Sequence, residues 1–430
     1  MRVLVLGGYG LIGLAVSKRL IADGHKVIGL ARSGARGRAL LPEAEWREAD
    51  ISKLQSSADW QPFLENVDVV VNAAGALQDG LKDNVTAVQY LAITALIDAC
   101  QNQGIQRIIQ ISAPGVSEDS QTRFYRTKAK ADQALMQSAL SWTILRPGLV
   151  IAPQAYGGTS LIRTLAAVPW VQPIVLANTP VQTISVDDVA EAVSIAVSGK
   201  MDGMDVDLVE AKPQTLADLV LAVRSWLGFA PPRAVIPLPS SVGIMMAKGA
   251  DLAGWLGWRS ALRSTSLSVL KHGVTGDASA WQTIAGRPAS ALSETLHKLP
   301  STVQERVYAR MMLAYPILLI VLSVFWIASG MIGLFQHDRA VAVIQDALPD
   351  GLSHLFVRGG SLVDIVIGAG MLFRPSTRWA CFASILVSVG YMVGAALFTP
   401  ELWSDPLGPM VKVFPGIGLA IIVATLTQER

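Results

Sequence analysis

The residues best placed to do chemistry are four glycines near the start of the chain, in the run Gly7-Gly8-Tyr9-Gly10-Leu11-Ile12-Gly13. A Val- and Leu-rich segment, Arg2 to Leu6, leads into them. A stretch with Leu14, Val16, Leu20 and Ile21 on one face follows, ending at Gly24. Strand, glycine turn and helix together suit a dinucleotide pyrophosphate. Glycine lets the backbone approach the anion, and the first turn of a helix presents N–H groups with no partner inside the helix. Gly7, Gly10, Leu11, Ile12 and Gly13 are the expected contacts. The pattern counts either as GxGxxG from Gly8 or as GxxGxxG from Gly7. About twenty residues on, a second strand, Lys26 to Ala31, ends where an acid would bind the ribose 2′-hydroxyl of NAD. Arg32 stands there, with Arg36 and Arg38 nearby, and a guanidinium suits a 2′-phosphate. NADP is the expected cofactor, NAD the less favoured one; an exposed loop arginine is the plain alternative.

These residues need a frame. Further strands are expected at Trp46 to Ala49, ending at Asp50; at Val67 to Val71, running into Asn72-Ala73-Ala74-Gly75; and at Arg107 to Ile111, ending at Ser112. Helical stretches separate them, most clearly Val85 to Gln103. Strand–helix alternation predicts an α/β fold, a doubly wound parallel sheet of the Rossmann type. Ligands in such sheets lie beyond the carboxyl ends of the strands, where all these residues fall.

The glycine run, Asp50-Ile51, Asn72 to Gly75, Asn84, Thr143-Ile144-Leu145-Arg146-Pro147-Gly148 and Val186-Asp187-Asp188-Val189-Ala190 resemble the landmarks of extended and atypical short-chain dehydrogenase/reductases, in matching order and spacing over Met1 to Ser198. The resemblance implies that Asp50 and Ile51 contact adenine, that Ala73, Ala74 and Gly75 line the cofactor with Asn84 nearby, and that Pro147 and Gly148 lie beside the nicotinamide. It also implies a Tyr four residues before a Lys on one helix, the Tyr exchanging a proton with substrate while the Lys holds the nicotinamide ribose. Here Lys128 is in place but Phe124 precedes it, and a phenyl ring has no exchangeable proton. Tyr125 is one residue late, about 100° round a helix. Ser112 is the family's hydroxyl or a cap on its strand end. Lys128 is a cofactor ligand or an i,i+4 partner of Asp132 on a solvated face.

Charge divides the chain. Of 68 charged residues, 13 lie in the 120 residues from Met311 to Arg430, leaving 55 in the first 310. The net charge of +2, with no basic run, speaks against nucleic acid; two distant cysteines and five scattered histidines speak against a disulfide framework or a metal site. The glycines of the first segment, followed by Lys18 and Arg19, make a poor signal peptide. We expect residues 1–230 to form the nucleotide-binding domain, 231–305 a helical linker or lid, and 306–430 an all-α membrane domain of four transmembrane helices at about 311–335, 356–373, 379–400 and 409–427. Within the linker, Ser240 to Trp258 reads as a lid, a helix lying on the bilayer or an ordinary core helix. The four spans resemble the DoxX-like family, and bacterial proteins that place an atypical reductase domain before such a domain.

Arg306, Arg310, Arg374, Arg378 and Arg430 flank the spans on one side, against Asp338, Asp346, Asp350, Glu401 and Asp405 on the other, with Arg339 and Arg358 as exceptions. The expectation is a multi-pass inner (cell) membrane protein with its nucleotide domain and both termini, including Gln428-Glu429-Arg430, in the cytoplasm. Asp364, inside a span, is either functional or a hydrogen-bonded structural carboxyl. The expected activity is NADP(H)-dependent oxidoreduction of an apolar or quinone-like substrate from the bilayer, the proton coming from water. The rival is a non-catalytic NADP(H)-binding scaffold, redox sensor or assembly factor working with membrane-complex subunits. An epimerase or dehydratase fits less well, since both use the missing Tyr.

Overall fold

The computed structural model of the chain describes residues 1–75, 79–80, 84–258, 260–345 and 348–427. It divides into two compact units: Met1–Asp251 with Ser260–Ala309, and Leu252–Arg259 with Arg310–Arg430.

The first unit is built on a seven-stranded, wholly parallel sheet: β1 (Arg2–Leu6), β2 (Lys26–Ala31), β3 (Glu45–Glu48), β4 (Val69–Asn72), β5 (Arg107–Ile111), β6 (Ser141–Pro147) and β7 (Met204–Leu208). Their order is β7-β6-β5-β4-β1-β2-β3, so the winding reverses between β1 and β4. β1 pairs Arg2 with Lys26 on one side and Val3 with Val69 on the other. Its side chains alternate between two cores, as period-two geometry requires. Val3 and Val5 join Val16, Leu20, Val193 and Trp281 on one face; Leu4 and Leu6 join Trp60, Leu96 and Ile97 on the other. Buried on both faces, the strand is apolar throughout. Helix α1 (Leu11–Ala22) carries Leu11, Ile12 and Gly13 of the candidate site, and α2 (Arg123–Met136) carries Tyr125 and Lys128.

Residues 231–305, expected as one linking segment, divide. Ala234–Leu238 pairs in parallel with Val171–Val175, and helix α3 (Ser240–Trp255) follows. Ser260–Ala309 belongs to the first unit. There Trp281 is fully buried in the sheet core, and Leu292 and Leu296 enter a third cluster with Ile162, Leu219 and Val223. Charge secures the same segment: Arg287 pairs with Asp188 at 2.7 Å and with Glu191, and the backbone N–H of Ser290 donates to Asp188 at 2.9 Å. Asp188, from the Val186-Asp187-Asp188 landmark, is a structural clamp.

Among the described residues, three helices are long and apolar enough to cross a membrane, and from Arg310 onward they belong to the second unit: α4 (Val303–Phe335), α5 (Asp350–Leu372) and α6 (Thr377–Phe398). The fourth, α7 (Val413–Leu426), has 14 residues, about 21 Å at 1.5 Å per residue, and is shorter than the stretch 409–427 expected of it. Pro415 sets its start, because proline lacks the N–H that only the first turn of a helix can spare. Small residues bring α4 and α5 together: a methyl group at Gly368 would stand 2.7 Å from the Ser323 carbonyl oxygen, and Ser323 donates to the Gly368 carbonyl at 2.6 Å. Asp364 accepts from Ser329 and from Tyr391, each at 2.9 Å, tying α4, α5 and α6 through one carboxyl group. Asp346 and Gln428 to Arg430 lie outside the described residues.

Since Trp281 fills the sheet core, Trp281→Ala is expected to destabilise the first unit by about 3–5 kcal/mol. Urea unfolding of the solubilised chain, followed by far-ultraviolet circular dichroism, measures the shift.

Candidate functional site

β1 ends at Leu6, and the chain turns through Gly7 with φ +69°, a left-handed conformation that favours glycine. A Cβ there would also meet the Ala73 carbonyl oxygen at 3.2 Å and Ala74 Cα at 3.1 Å. Gly10 caps α1 without a side-chain acceptor, so the first-turn N–H groups at Leu11, Ile12 and Gly13 face outward from the turn with no capping hydroxyl or carboxylate. A Cβ at Gly13 would stand 2.3 Å from the Gly7 carbonyl oxygen. Gly8 lies outside this set, packing against Gly29 and the Trp46 ring. The turn is thus the GxxGxxG of Gly7, Gly10 and Gly13. Its cradle, which a Cβ would fill, fits a dinucleotide pyrophosphate.

The strand ends arrange the remaining residues. Arg32 follows β2 and is exposed, and the Arg36 guanidinium lies 5.7 Å from the centroid of the Tyr9 ring. Asp50 follows β3 and accepts from the Ser52 N–H and hydroxyl, capping a short 3₁₀ turn, while Ile51 is buried in the core beneath. After β4 the Asn72 carboxamide oxygen takes the Ala74 N–H at 3.1 Å, holding Ala73 and Ala74 against Gly7, with Gly75 exposed beyond. Asn84 is exposed and accepts from the Ala87 N–H at 3.0 Å. Pro147 ends β6. Gly148 donates to the Leu208 carbonyl, and a Cβ on it would lie 2.6 Å from the Gln182 carbonyl oxygen.

A buried polar cluster stands at the ends of β5 and β6. Lys128 on α2 is buried and donates to the carbonyl of Ile111, the last residue of β5, at 2.8 Å. Its ammonium lies 5.8 Å from the centroid of the Phe124 ring, so a phenyl group occupies the place beside the lysine. Asp132 is not on a solvated face: it is 1% exposed. Ser112 donates to its Oδ2 at 2.5 Å, and Arg146 reaches the same oxygen at 3.1 Å. Arg146 also grips Asp205 through two bonds of 2.6 and 2.8 Å. Asp132 Oδ1 is buried without a partner among the described residues. Tyr125 is buried beside Phe124, its phenol pushed up by burial, and among the described residues its hydroxyl bonds to neither Ser112 nor Lys128.

Sequence reasoning missed Asp132 as a buried group and missed Arg146 and Asp205 as its partners. One signal was available for Asp132: Phe124, Lys128, Ala131, Asp132 and Leu135 follow one helical stripe, and Ala131 and Leu135 are core residues. Burial pushes the Asp132 carboxyl up, against the opposing pull of Arg146, Ser112 and Lys128. It pushes the Lys128 ammonium down to about 8, with Asp132 opposing and Arg146 assisting. Chemically, the cluster holds a lysine over the end of β5 and turns the Ser112 hydroxyl proton inward to a carboxylate.

The comparisons with known proteins agree with the two units. Residues 7–198 match the NAD(P)H-binding family, so the first part of the chain is an NAD(P)-binding Rossmann domain. Residues 323–421 match the DoxX-like family, and the chain joins that Rossmann domain to a DoxX-like domain carrying apolar, membrane-associated helices. The photosystem II assembly factor Ycf39 of Synechocystis is 32% identical over 148 residues, 34% of this chain and 44% of that protein. A 2-alkyl-3-oxoalkanoate reductase of Stenotrophomonas maltophilia is 28% identical over 188 residues, 39% of this chain and 55% of that protein. The chain thus spans about half the length of these two relatives. The NADPH-dependent quinone oxidoreductase of Escherichia coli shares the fold, with a TM-score of 0.53 at 18% identity over 69% of this chain and 98% of that one.

With its folded value near 8 and an ordinary value of 10.5, Lys128 binds its proton less tightly in the folded chain than in the unfolded one. The contribution of Lys128 to stability therefore rises as pH passes from about 8 to 10.5 and is constant below 8. Lys128→Met, with no proton to lose in either state, is expected to remove that rise, a difference of about 3 kcal/mol across the window. Denaturant unfolding of the two chains at each end of the window measures it.

Proposed function

We propose that the chain is a membrane-anchored NADP(H)-dependent oxidoreductase that reduces an apolar, quinone-like acceptor, with the nucleotide-binding unit on the cytoplasmic side of the cell membrane. The observation that carries this reading is the phenyl ring of Phe124 beside the buried Lys128. The site keeps the lysine that the family uses on the nicotinamide ribose and lacks the phenol that protonates a carbonyl. Bound NADPH would supply a hydride. A quinone accepting it takes its second hydrogen as a proton from water, and so needs no phenol.

In this reading Gly7, Gly10, Leu11, Ile12 and Gly13 hold the pyrophosphate, Asp50 and Ile51 the adenine, and Arg32 the 2′-phosphate. Ala73, Ala74, Gly75 and Asn84 line the cofactor, Pro147 and Gly148 flank the nicotinamide, and Lys128 orients the ribose. Ser112 is a positioning residue, since its proton points to Asp132, and Tyr125 has no part in the chemistry. The name of the Stenotrophomonas relative supports a reductase. The basic residues Arg306, Arg310, Arg374 and Arg378, against Asp338, Asp350, Glu401 and Asp405 on the alternate loops, support the orientation.

A second reading, a non-catalytic NADP(H)-binding scaffold, is favoured by the same missing phenol and by the Synechocystis relative, named as an assembly factor. The two diverge in one assay. The purified chain in nanodiscs is expected to oxidise NADPH with menadione or a short-chain ubiquinone. Phe124→Tyr should be dispensable for that turnover, and Lys128→Ala should lower kcat/KM by about a hundredfold. Binding of NADPH without turnover on any quinone would decide for the scaffold.

Arg32→Asp is expected to weaken NADPH binding by about tenfold to a hundredfold, the loss of one charge-assisted phosphate contact, and to tighten NADH binding, since the new carboxylate is placed for the ribose 2′-hydroxyl. Fluorescence titration of both nucleotides reads the preference.

A further inference from the structure

Helix α3 (Ser240–Trp255) is amphipathic in an inverted sense. Its inward stripe, Gly243, Ala247, Ala250 and Gly254 at i, i+4, i+7 and i+11, is made of small residues, and a Cβ on Gly243 would press to 2.5 Å from Val175. Its outward stripe holds large apolar side chains: Ile244, Met245, Leu252 and Trp255, with Met245 68%, Leu252 67% and Trp255 76% exposed. Lys248 is the one charge among them. Asp251, at the margin, is taken by Arg263 at 3.0 Å. Water offers nothing to such a face, and a contiguous exposed apolar surface marks a binding site.

The last turn of this helix is itself part of the membrane-type unit. Leu252–Arg259 belongs to that unit. The Trp258 indole N–H donates at 2.7 Å to the carbonyl of Leu372, the last residue of α5. The Arg374 N–H donates at 2.9 Å to the Leu256 carbonyl, and the Arg374 guanidinium lies 5.5 Å from the Trp258 ring centroid. A tryptophan and an arginine at the mouth of two apolar helices mark the level where hydrocarbon meets head groups. With 16 residues, α3 is about 24 Å long, too short for a ~30 Å hydrocarbon core, and it carries Lys248 mid-length.

We propose that α3 lies along the cytoplasmic surface of the bilayer, its Ile244, Met245, Leu252 and Trp255 face sunk at the boundary of head groups and acyl chains. Lys248 extends its stem over that face and brings its ammonium to anionic head groups. The proposal rests on the membrane reading of α4 to α6.

The test uses the full chain in nanodiscs of phosphatidylethanolamine and phosphatidylglycerol, with Cys100→Ser and Cys381→Ser. Nitroxide labels at Met245→Cys and Leu252→Cys are scored for collision with oxygen, which concentrates in lipid, and with a water-soluble nickel chelate. Val366→Cys, on an exposed face of α5, reports a span, and Gln133→Cys, on the solvated face of α2, reports water. The expected result is an oxygen-to-nickel ratio at Met245 and Leu252 several-fold above that at Gln133 and near that at Val366. A ratio like that at Gln133 overturns the proposal while Val366 still reports lipid; nickel access at Val366 as well overturns the membrane reading itself. Labels shielded from both reagents and broadened by spin coupling would mean that a second copy of the chain covers the face, also against the proposal. Should the labelled chains fail to fold, Trp255→Phe in the native chain provides the second measurement. Phospholipid brominated near the glycerol should quench a smaller share of its tryptophan fluorescence than in wild type, and an unchanged share counts against α3 in lipid.

Discussion

Gly13 approaches the Gly7 carbonyl so closely that a methyl group would stand 2.3 Å from the oxygen, and much of the first unit follows from that approach. It fixes the entry of α1 directly above the end of β1, and it presses Gly7 against Ala73 and Ala74 where the winding of the sheet reverses. Only backbone without side chains fits there, which is what leaves room for a pyrophosphate beside a helix N-terminus. The candidate cofactor cradle is thus a by-product of close packing at the switch point, and the parallel sheet supplies the depth of core that holds the packing in place.

The second half of the site obeys a different constraint, the cost of burying charge. Lys128 and Asp132 occupy the stripe of α2 that would ordinarily be apolar, and such burial is tolerable only with partners. The Ile111 carbonyl serves the lysine; Ser112 and Arg146 serve the carboxylate, and Asp205 completes the arginine. This arrangement keeps Lys128 poised over the end of β5 and spends the Ser112 proton internally. With Phe124 beside Lys128, the cluster places a phenyl ring where a phenol would otherwise stand.

The membrane-type unit is governed by small residues and by one carboxyl group. Glycine at 330 and 368 lets α4 and α5 meet backbone to backbone, where lipid provides no hydrophobic drive for association. Asp364 gathers hydroxyls from two neighbouring helices, so the acid that looked anomalous in an apolar run is a three-helix junction. The same use of small residues recurs in α3, where Gly243 packs closely on Val175 while Met245, Leu252 and Trp255 face outward.

The sequence by itself determined the alternation of strands and helices, the presence of a glycine turn, the apolar character of the last 120 residues and the absence of the phenol, because each is a local pattern of period or residue type. Only the tertiary structure decided what non-local contacts control. It assigned Gly8 to packing on Trp46 and left the turn to Gly7, Gly10 and Gly13. It moved Asp132 from solvent to the core, because β5 and β6 lie over that face of α2. It drew Ser260–Ala309 into the first unit through Trp281 and the Asp188–Arg287 pair, residues about a hundred positions apart whose meeting no periodicity can announce. Local backbone geometry is written in neighbouring residues; the pairing of buried charges is written in the fold.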